Sequence, residues 1–274
     1  MSKVFGRITI LFCMTMLITG CSTANESIQR IALLAPFEGR YSEIGYEAYY
    51  AVRLAMQERD TERIELLAID DGSSETSAIN RAKALANDPL VNVVLVLGET
   101  ATKPEVQAAF GQTPVIIVGQ WHSTPSTENV FMLASDQLQT LISPTAQVEP
   151  IVDSNVVGGE VFALKQVPKL VDDLSGITVV SSASLPDKAF QQRYVGSGQF
   201  VSAPGLLATL AYDAAGIALD ALQTPDARNA IATMTYTGIN GSIQFVDGYW
   251  ADAPINYYRY DAKGNLTPED RPVK

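Results

Sequence analysis

The chain has 274 residues, with 19 Lys and Arg against 30 Asp and Glu for a formal charge of −11, one histidine and two cysteines. A surface this acidic repels nucleic acid and anionic lipid, and two cysteines are too few for a disulfide framework or a thiolate metal cluster. The length is sufficient for one sizeable core or for two small lobes.

Lys3 and Arg7 flank the apolar stretch "ITILFCMTMLI", which is too short to span a bilayer comfortably and reads as an export signal. It closes with "ITGC", in which small residues precede Cys21, and this resembles the lipobox of bacterial lipoproteins. The resemblance implies removal of residues 1–20, a diacylglycerol on the Cys21 thiol, and a lipidated tether over residues 21–28. The body would then be extracytoplasmic, in the periplasm or at the outer cell surface, and would touch the membrane only through lipid, each buried methylene contributing about 0.8 kcal/mol. The bland alternative is an ordinary secretory signal with a chance cysteine. Cys13 would leave with the signal and Cys21 would carry lipid, so neither a disulfide nor a cysteine nucleophile is expected.

Beyond the tether, nearly continuous apolar runs of strand length occur at Ile31–Ala35, Ile64–Ile69, Val93–Leu97 and Val115–Val118, as in strands buried on both faces. Between them lie helical spacings: Ile44, Ala48, Ala51, Val52 and Ala55, then Ile79, Ala82, Leu85 and Ala86, then Val106, Ala109 and Phe110. The order βαβαβαβ predicts a parallel sheet with helices on both faces and right-handed crossovers. Over residues 119–150 prolines and Ser/Thr interrupt the rhythm, which predicts a crossover with one short strand and one helical turn. "NVVGGEVFALKQVPKLVDD" reads as a short strand, a glycine turn and a helix, and "GITVVSS" as the next strand. A long helix is predicted from about Pro204 to Leu222, with Leu207, Leu210, Ala211, Ala214, Ala218 and Leu222 on one stripe. "GSIQFVDG" and "INYYRYDAKGN" read as a hairpin.

In an open parallel sheet, ligands bind outside the carboxyl ends of the strands. Three loops occupy that edge here: Phe37–Gly45, Gly98–Lys103 and Gly119–Ser123. "LGETATKP" offers a glycine, the Thr100 and Thr102 hydroxyls and a following helix, which suit a polar head group and equally suit a plain N-cap.

The segments "IALLAPFEGRYSEIGYEAYYAVRLA", "IELLAIDDGSSETSAINRAKALAND" and "VVLVLGETATKPEVQAAFGQTPVIIVG" together resemble the first lobe of type I periplasmic binding proteins, closest to the leucine/isoleucine/valine-binding group. "VVGGEVFALKQVPKLVDDLSGITVVS", "ATLAYDAAGIALDAL", "NGSIQFVDG" and "INYYRYDAKGNL" are similar to the second lobe, the returning helix and the C-terminal strands. The resemblance implies an α/β chain of two lobes with parallel sheets flanked by helices, lobe 1 being residues 29–122 and 199–236, a reduced lobe 2 being 123–198 and 237–267, and 268–274 a tail. It implies a receptor that captures a small polar ligand, such as an amino acid or amide, for the permease of an ABC transporter, without chemistry and without cofactor or metal. The ligand would meet Tyr41 and Ser42 of the first loop, Gly98, Glu99, Thr100, Ala101 and Thr102 of the carboxylate-binding loop, and Gln120 and Trp121 of the next. Glu160 would hold its ammonium, or would simply favour a helix dipole.

The chain also departs from that family. Residues 123–155 are too few for a further β-α-β-α unit, so closure over a ligand is less secure. Glu99 places a negative charge in the carboxylate-binding loop and Trp121 adds bulk, which favours a cationic, polyol or peptide-like ligand over an amino acid. The rival reading is a ligand-free lipoprotein of the same fold acting through protein contacts, as a sensor or a cell-wall synthase activator. His122, the lone histidine, has no nucleophile elbow or second histidine to make it catalytic or metal-binding, and "DDGSSE" reads as a strand end and helix cap rather than a calcium loop.

Overall fold

A computed structural model describes residues 28–59, 61–143 and 155–270. The export signal, Cys21 and all but the last residue of the tether lie outside the described residues.

Two sheets organise the chain. The larger has seven strands: β1 (Gln29–Ala35), β2 (Ile64–Asp70), β3 (Val91–Val96), β4 (Val115–Val118), β5 (Val130–Leu133), β10 (Phe245–Val246) and β11 (Tyr249–Trp250), in the order β10-β11-β5-β4-β3-β1-β2. From β2 to β5 every pairing is parallel, and β1, β3, β4 and β5 are buried at almost every position. That burial is what the apolar runs of β1, β3 and β4 predict, whereas β2, expected to be buried on both faces as well, lies at the sheet edge and is only partly buried. Helix α1 (Ser42–Glu58) connects β1 to β2, α2 (Glu75–Ala86) connects β2 to β3, and α3 (Pro104–Ala109) leads from β3 to β4. The first crossover steps outward from β1 to β2 and the second steps back past β1 to β3. With right-handed crossovers, α1 and α2 must therefore lie on opposite faces, and the order reverses between β1 and β3. A crevice opens at such a reversal, outside the carboxyl ends of the strands.

The smaller sheet holds β6 (Val156–Gly158), β7 (Ile177–Ser181), β12 (Asn256–Tyr260) and β13 (Leu266–Pro268) in the order β13-β12-β7-β6. Only β6 and β7 run parallel; β12 is antiparallel to both of its neighbours, so this sheet is mixed rather than parallel. The helix expected after β6 is broken up. Glu160–Ala163 forms a single 3-10 turn, Leu164 is extended, and α5 (Val167–Leu170) is one turn long with Pro168 inside it. A one-turn helix, α4 (Leu138–Leu141), precedes this sheet.

The returning helix is α7 (Leu206–Ala221), and fourteen of its sixteen residues are buried. It is thus buried on all sides rather than along one stripe, because α1, β3, β4 and α8 (Ala227–Thr233) surround it. Its first turn carries no cap of its own. Glu47 of α1 instead accepts the Gly205 and Ala208 N–H groups at 2.7 and 2.9 Å.

The expected lobe boundaries are corrected in four places. β5 pairs with β4, and β10 and β11 add to β5, so residues 130–133 and 245–250 belong to the larger sheet. Helix α6 (Lys188–Gly196) packs on α1, with the Tyr194 hydroxyl donating to Glu47 O at 2.9 Å and Arg193 paired with Glu58 at 2.7 Å. The tail starts later than 268, since Pro268 pairs with Tyr258 and Glu269 N–H donates to Tyr257 O at 2.7 Å. Nor do "GSIQFVDG" and "INYYRYDAKGN" pair with each other. β9 (Gly241–Ile243) pairs with β8 (Tyr236–Gly238), β10 with β11, and β12 with β7 and β13. Each of these differences concerns which distant strand or helix accepts a short apolar segment, which local pattern does not encode.

The chain passes between the sheets after β5, after β7 and after β11. Side chains lace the crossings together. Ser182 Oγ accepts the Ser135 N–H at 3.0 Å, and Asn256 Nδ2 and the Tyr258 hydroxyl both donate to Ala183 O, at 3.0 and 2.6 Å.

Candidate functional site

A cleft of about 370 Å³ opens at the reversal point. One wall comes from the loops after β1 (Pro36, Glu38, Gly39, Arg40, Tyr41), β2 (Asp71, Ser73), β3 (Gly98, Glu99, Thr100) and β4 (Gln120, Trp121, His122), with Ile44 of α1. The facing wall is Ile142, Gly159 and Val161, on the segments that carry the smaller sheet. The volume lies within the range of small-molecule sites.

Local chemistry holds each loop in place. Asp70, the last residue of β2, accepts Phe37 N–H at 2.7 Å and Glu38 N–H at 3.1 Å through one carboxylate oxygen, and Gly72 N–H at 2.7 Å through the other. The first loop is thereby pinned to the end of the neighbouring strand. Gly45 lets α1 start directly against that loop, since a Cβ there would collide with Pro36 O and the Phe37 ring. Gly98 has φ +92°, and a Cβ on it would lie 2.8 Å from Pro36 Cδ, so the third loop can approach the first only with glycine at this position. Trp121 donates its indole N–H to Val118 O at 2.7 Å and is only 3% exposed, which fixes it as floor. His122 and Ser73, both lining residues, hold left-handed φ values of 47° and 53°. Such backbone costs on the order of 1–2 kcal/mol and collects at functional positions.

The electrostatic balance of the cleft is acidic. Three carboxylates, Glu38, Asp71 and Glu99, face one guanidinium, Arg40, which lies 5.7 Å from the centroid of the Tyr41 ring. Burial pushes Asp71 above the ordinary carboxylate range, reinforced by Asp70 and opposed by the Ser73 N–H and Arg81. Burial also raises Glu99, against the pull of Lys103, and lowers His122, favouring its neutral form. Gln120 is 5% exposed and its Nε2 has no hydrogen-bond partner.

Of the residues singled out in sequence, Tyr41, Gly98, Glu99, Thr100, Gln120 and Trp121 line the cleft. Ser42 opens α1 and does not. Ala101 and Thr102 are fully buried beneath the loop, and the Thr102 hydroxyl donates to Gly98 O at 2.9 Å, so it serves the turn. Glu160 is likewise displaced from its expected role. It is 0% exposed and lies outside the cleft lining, where its carboxylate accepts Gln120 N–H at 3.1 Å and the Ser181 hydroxyl at 2.7 Å. It joins β7 of the smaller sheet to the loop after β4, and burial raises it above the usual carboxylate range. Glu38, Gly39, Arg40 and His122 line the cleft from loops already singled out, without having been named as ligand contacts, and Asp71, Ser73, Ile142, Gly159 and Val161 line it from outside those loops. The sheet-edge rule that singled out the other three loops applies to the loop after β2 as well.

Among the described residues no group of three or more His, Cys, Asp or Glu could hold a metal ion, and no helix is long and apolar enough to cross a membrane.

Two α/β lobes with a cleft at the strand ends define the type I periplasmic-binding-protein fold, and comparison with solved structures shows the same. A leucine-binding protein, LivK, from Thermotoga maritima superposes with a TM-score of 0.69 at 15% identity, over 89% of this chain and 98% of that one. The branched-chain amino acid transporter substrate-binding protein LivJ from Streptococcus pneumoniae, in complex with isoleucine, gives 0.64 at 14%, over 89% and 100%. An ABC transporter solute-binding protein from R. palustris, in complex with benzoate, gives 0.65 at 12%, over 88% and 95%. No family model matches the sequence, and no curated protein matches it.

Proposed function

We propose that this protein is an extracytoplasmic, lipid-anchored solute-binding protein that captures a small polar ligand between its lobes and presents it to the permease of an ABC transporter, with no chemistry on the ligand. The observation that carries the reading is the cleft, in which the loops after four parallel strands face Ile142, Gly159 and Val161 of the other lobe. Tyr41, Trp121, Ile44 and Val161 supply apolar surface, while Thr100, Gln120 and the carboxylates supply orientation. Closure would be hinge bending at the three laced crossings, with affinity depending on contacts that only the closed arrangement completes. The lipid on Cys21 and the leucine, isoleucine or benzoate of the similar proteins inform this proposal through resemblance.

The test is a thermal-shift screen of the purified protein against amino acids, amides, amines, aromatic acids and sugars. A ligand at a hundred times its Kd stabilises by about 2.7 kcal/mol, a clear rise in melting temperature. Trp121 is one of two tryptophans, so saturable quenching of indole fluorescence gives a second readout at the cleft itself. The second reading, action through protein contacts without a ligand, has one observation in its favour. Phe200 is 88% exposed with a left-handed φ of 68°. A screen flat in both readouts would transfer support to it.

A further inference from the structure

Resting on the reading that the cleft holds a ligand, we infer that it selects a small organic cation: an amine with a compact apolar body and one hydrogen-bond acceptor. The lining bears three carboxylates and a single guanidinium, and Arg40 is already engaged over the Tyr41 ring at 5.7 Å. A ligand carboxylate placed beside Gly98–Thr100 would therefore meet Glu99 in the loop and share the cleft with Asp71 of the loop after β2.

Apart from the Thr100 hydroxyl, the side-chain features that make such a loop a good anion seat are used up or missing. The Thr102 hydroxyl is committed to Gly98 O, the Lys103 ammonium is paired with Glu75 at 2.9 Å, and the short helix that follows begins with Pro104, whose nitrogen carries no proton. An ammonium group has partners here instead, in Asp71 and Glu99. An independent feature points to a ligand in the same place. The amide nitrogen of Gln120, in a side chain 95% buried at the cleft floor, is a donor without an acceptor. It calls for an ether, hydroxyl or carbonyl oxygen on the ligand, while Ile44, Ile142, Val161 and Trp121 leave room for an apolar body.

Two matched pairs of compounds isolate the charge: benzylamine against benzoate, and leucinol, whose hydroxyl supplies the acceptor for Gln120, against leucine. With the full-length protein at pH 7.5, isothermal titration calorimetry is expected to give each amine a Kd at least tenfold below that of its acid-bearing counterpart. Asp71→Asn, which keeps the oxygen that accepts Ser73 N–H, and Glu99→Gln should each weaken the amines about tenfold with an unchanged melting temperature. Glu99→Lys should shift preference towards benzoate. Benzoate or leucine binding as tightly as its amine would overturn the inference, and so would amines indifferent to both neutralising changes. If only neutral compounds such as acetamide or glycerol bind, the charge selection fails while the binding cleft stands. If acids, amines and neutral compounds all leave the calorimeter and the Trp121 signal flat, both readings fail together.

Discussion

Glu160→Gln should make the protein more stable at alkaline pH and leave it nearly unchanged in acid. The carboxylate is fully buried among neutral donors: the Gln120 N–H at 3.1 Å, the Ser181 hydroxyl at 2.7 Å and its own backbone N–H. Burial raises it above the usual carboxylate range, and no cation is among the influences that oppose the shift. A carboxylate raised on folding contributes its stability below the ordinary carboxylate range and loses it as pH rises through the raised value. Glutamine can keep the contacts with Gln120 and Ser181. Its amide oxygen takes the Gln120 N–H, and its amide nitrogen donates to Ser181 Oγ, an oxygen that already accepts Ala183 N–H at 2.9 Å. The substitution thus exchanges two charge-assisted hydrogen bonds for neutral ones and removes a buried charge. The first change costs about 1 kcal/mol per bond and the second relieves several, leaving a net gain of about 1–3 kcal/mol at pH 8. In a chain of this size that is roughly 2–4 °C in Tm per kcal/mol. Urea unfolding of both proteins at pH 4 and pH 8 measures the difference directly. A glutamine variant less stable than the parent at pH 8 would refute the reasoning, because it would mean that a cation neutralises the carboxylate in the folded protein.

Three further outcomes follow from specific contacts. Glu47→Ala removes the side-chain acceptor at the start of α7 and leaves the Gly205 and Ala208 N–H groups unmatched, a loss of about 2–3 kcal/mol that urea unfolding would show. Gly98→Ala combines a left-handed φ of +92° with a 2.8 Å approach to Pro36 Cδ, so a loss of about 1–3 kcal/mol and weaker ligand binding are expected in unfolding and titration experiments. Asp70→Ala releases three N–H groups at the cleft rim, so hydrogen exchange at Phe37, Glu38 and Gly72 should accelerate while the core amides of β1 stay protected.

The larger lobe was legible because its signals are local. Four nearly continuous apolar runs and three intervening helical spacings predict a parallel sheet with helices on both faces before any contact is known, and the observed strands begin and end within two residues of those runs. The smaller lobe was harder to read because its strands are three to five residues long and its helices are mostly single turns. For segments that short, partner choice decides the architecture. The apolar run at Val130–Leu133 joins β4 instead of the second lobe, and the Tyr-rich strand at Asn256–Tyr260 lies antiparallel to β7. α6 went unread because its apolar face is two aromatic residues, Phe190 and Tyr194, amid charged and amide side chains.

At the cleft the same division appears one level down. The sheet-edge rule identifies loops, since strand direction alone determines which end of a parallel sheet they occupy. Side-chain direction within a loop depends on backbone angles and on neighbours distant in sequence. Thr100 lines the cleft while Thr102, two residues on, turns its hydroxyl inward to Gly98 O. Ser73 and His122 reach the lining with left-handed backbone that their residue types do not announce. Glu160 is the most instructive case. Its expected role came from its place along the chain, yet the glycines before it and the 3-10 turn it opens carry its carboxylate under Gln120 and onto Ser181, where it ties one lobe to the other. With that carboxylate committed to the lobe contact, recognition of charge in the cleft is left to Asp71, which feels the pull of Arg81, and to Glu99, which feels that of Lys103, whose ammonium is paired with Glu75.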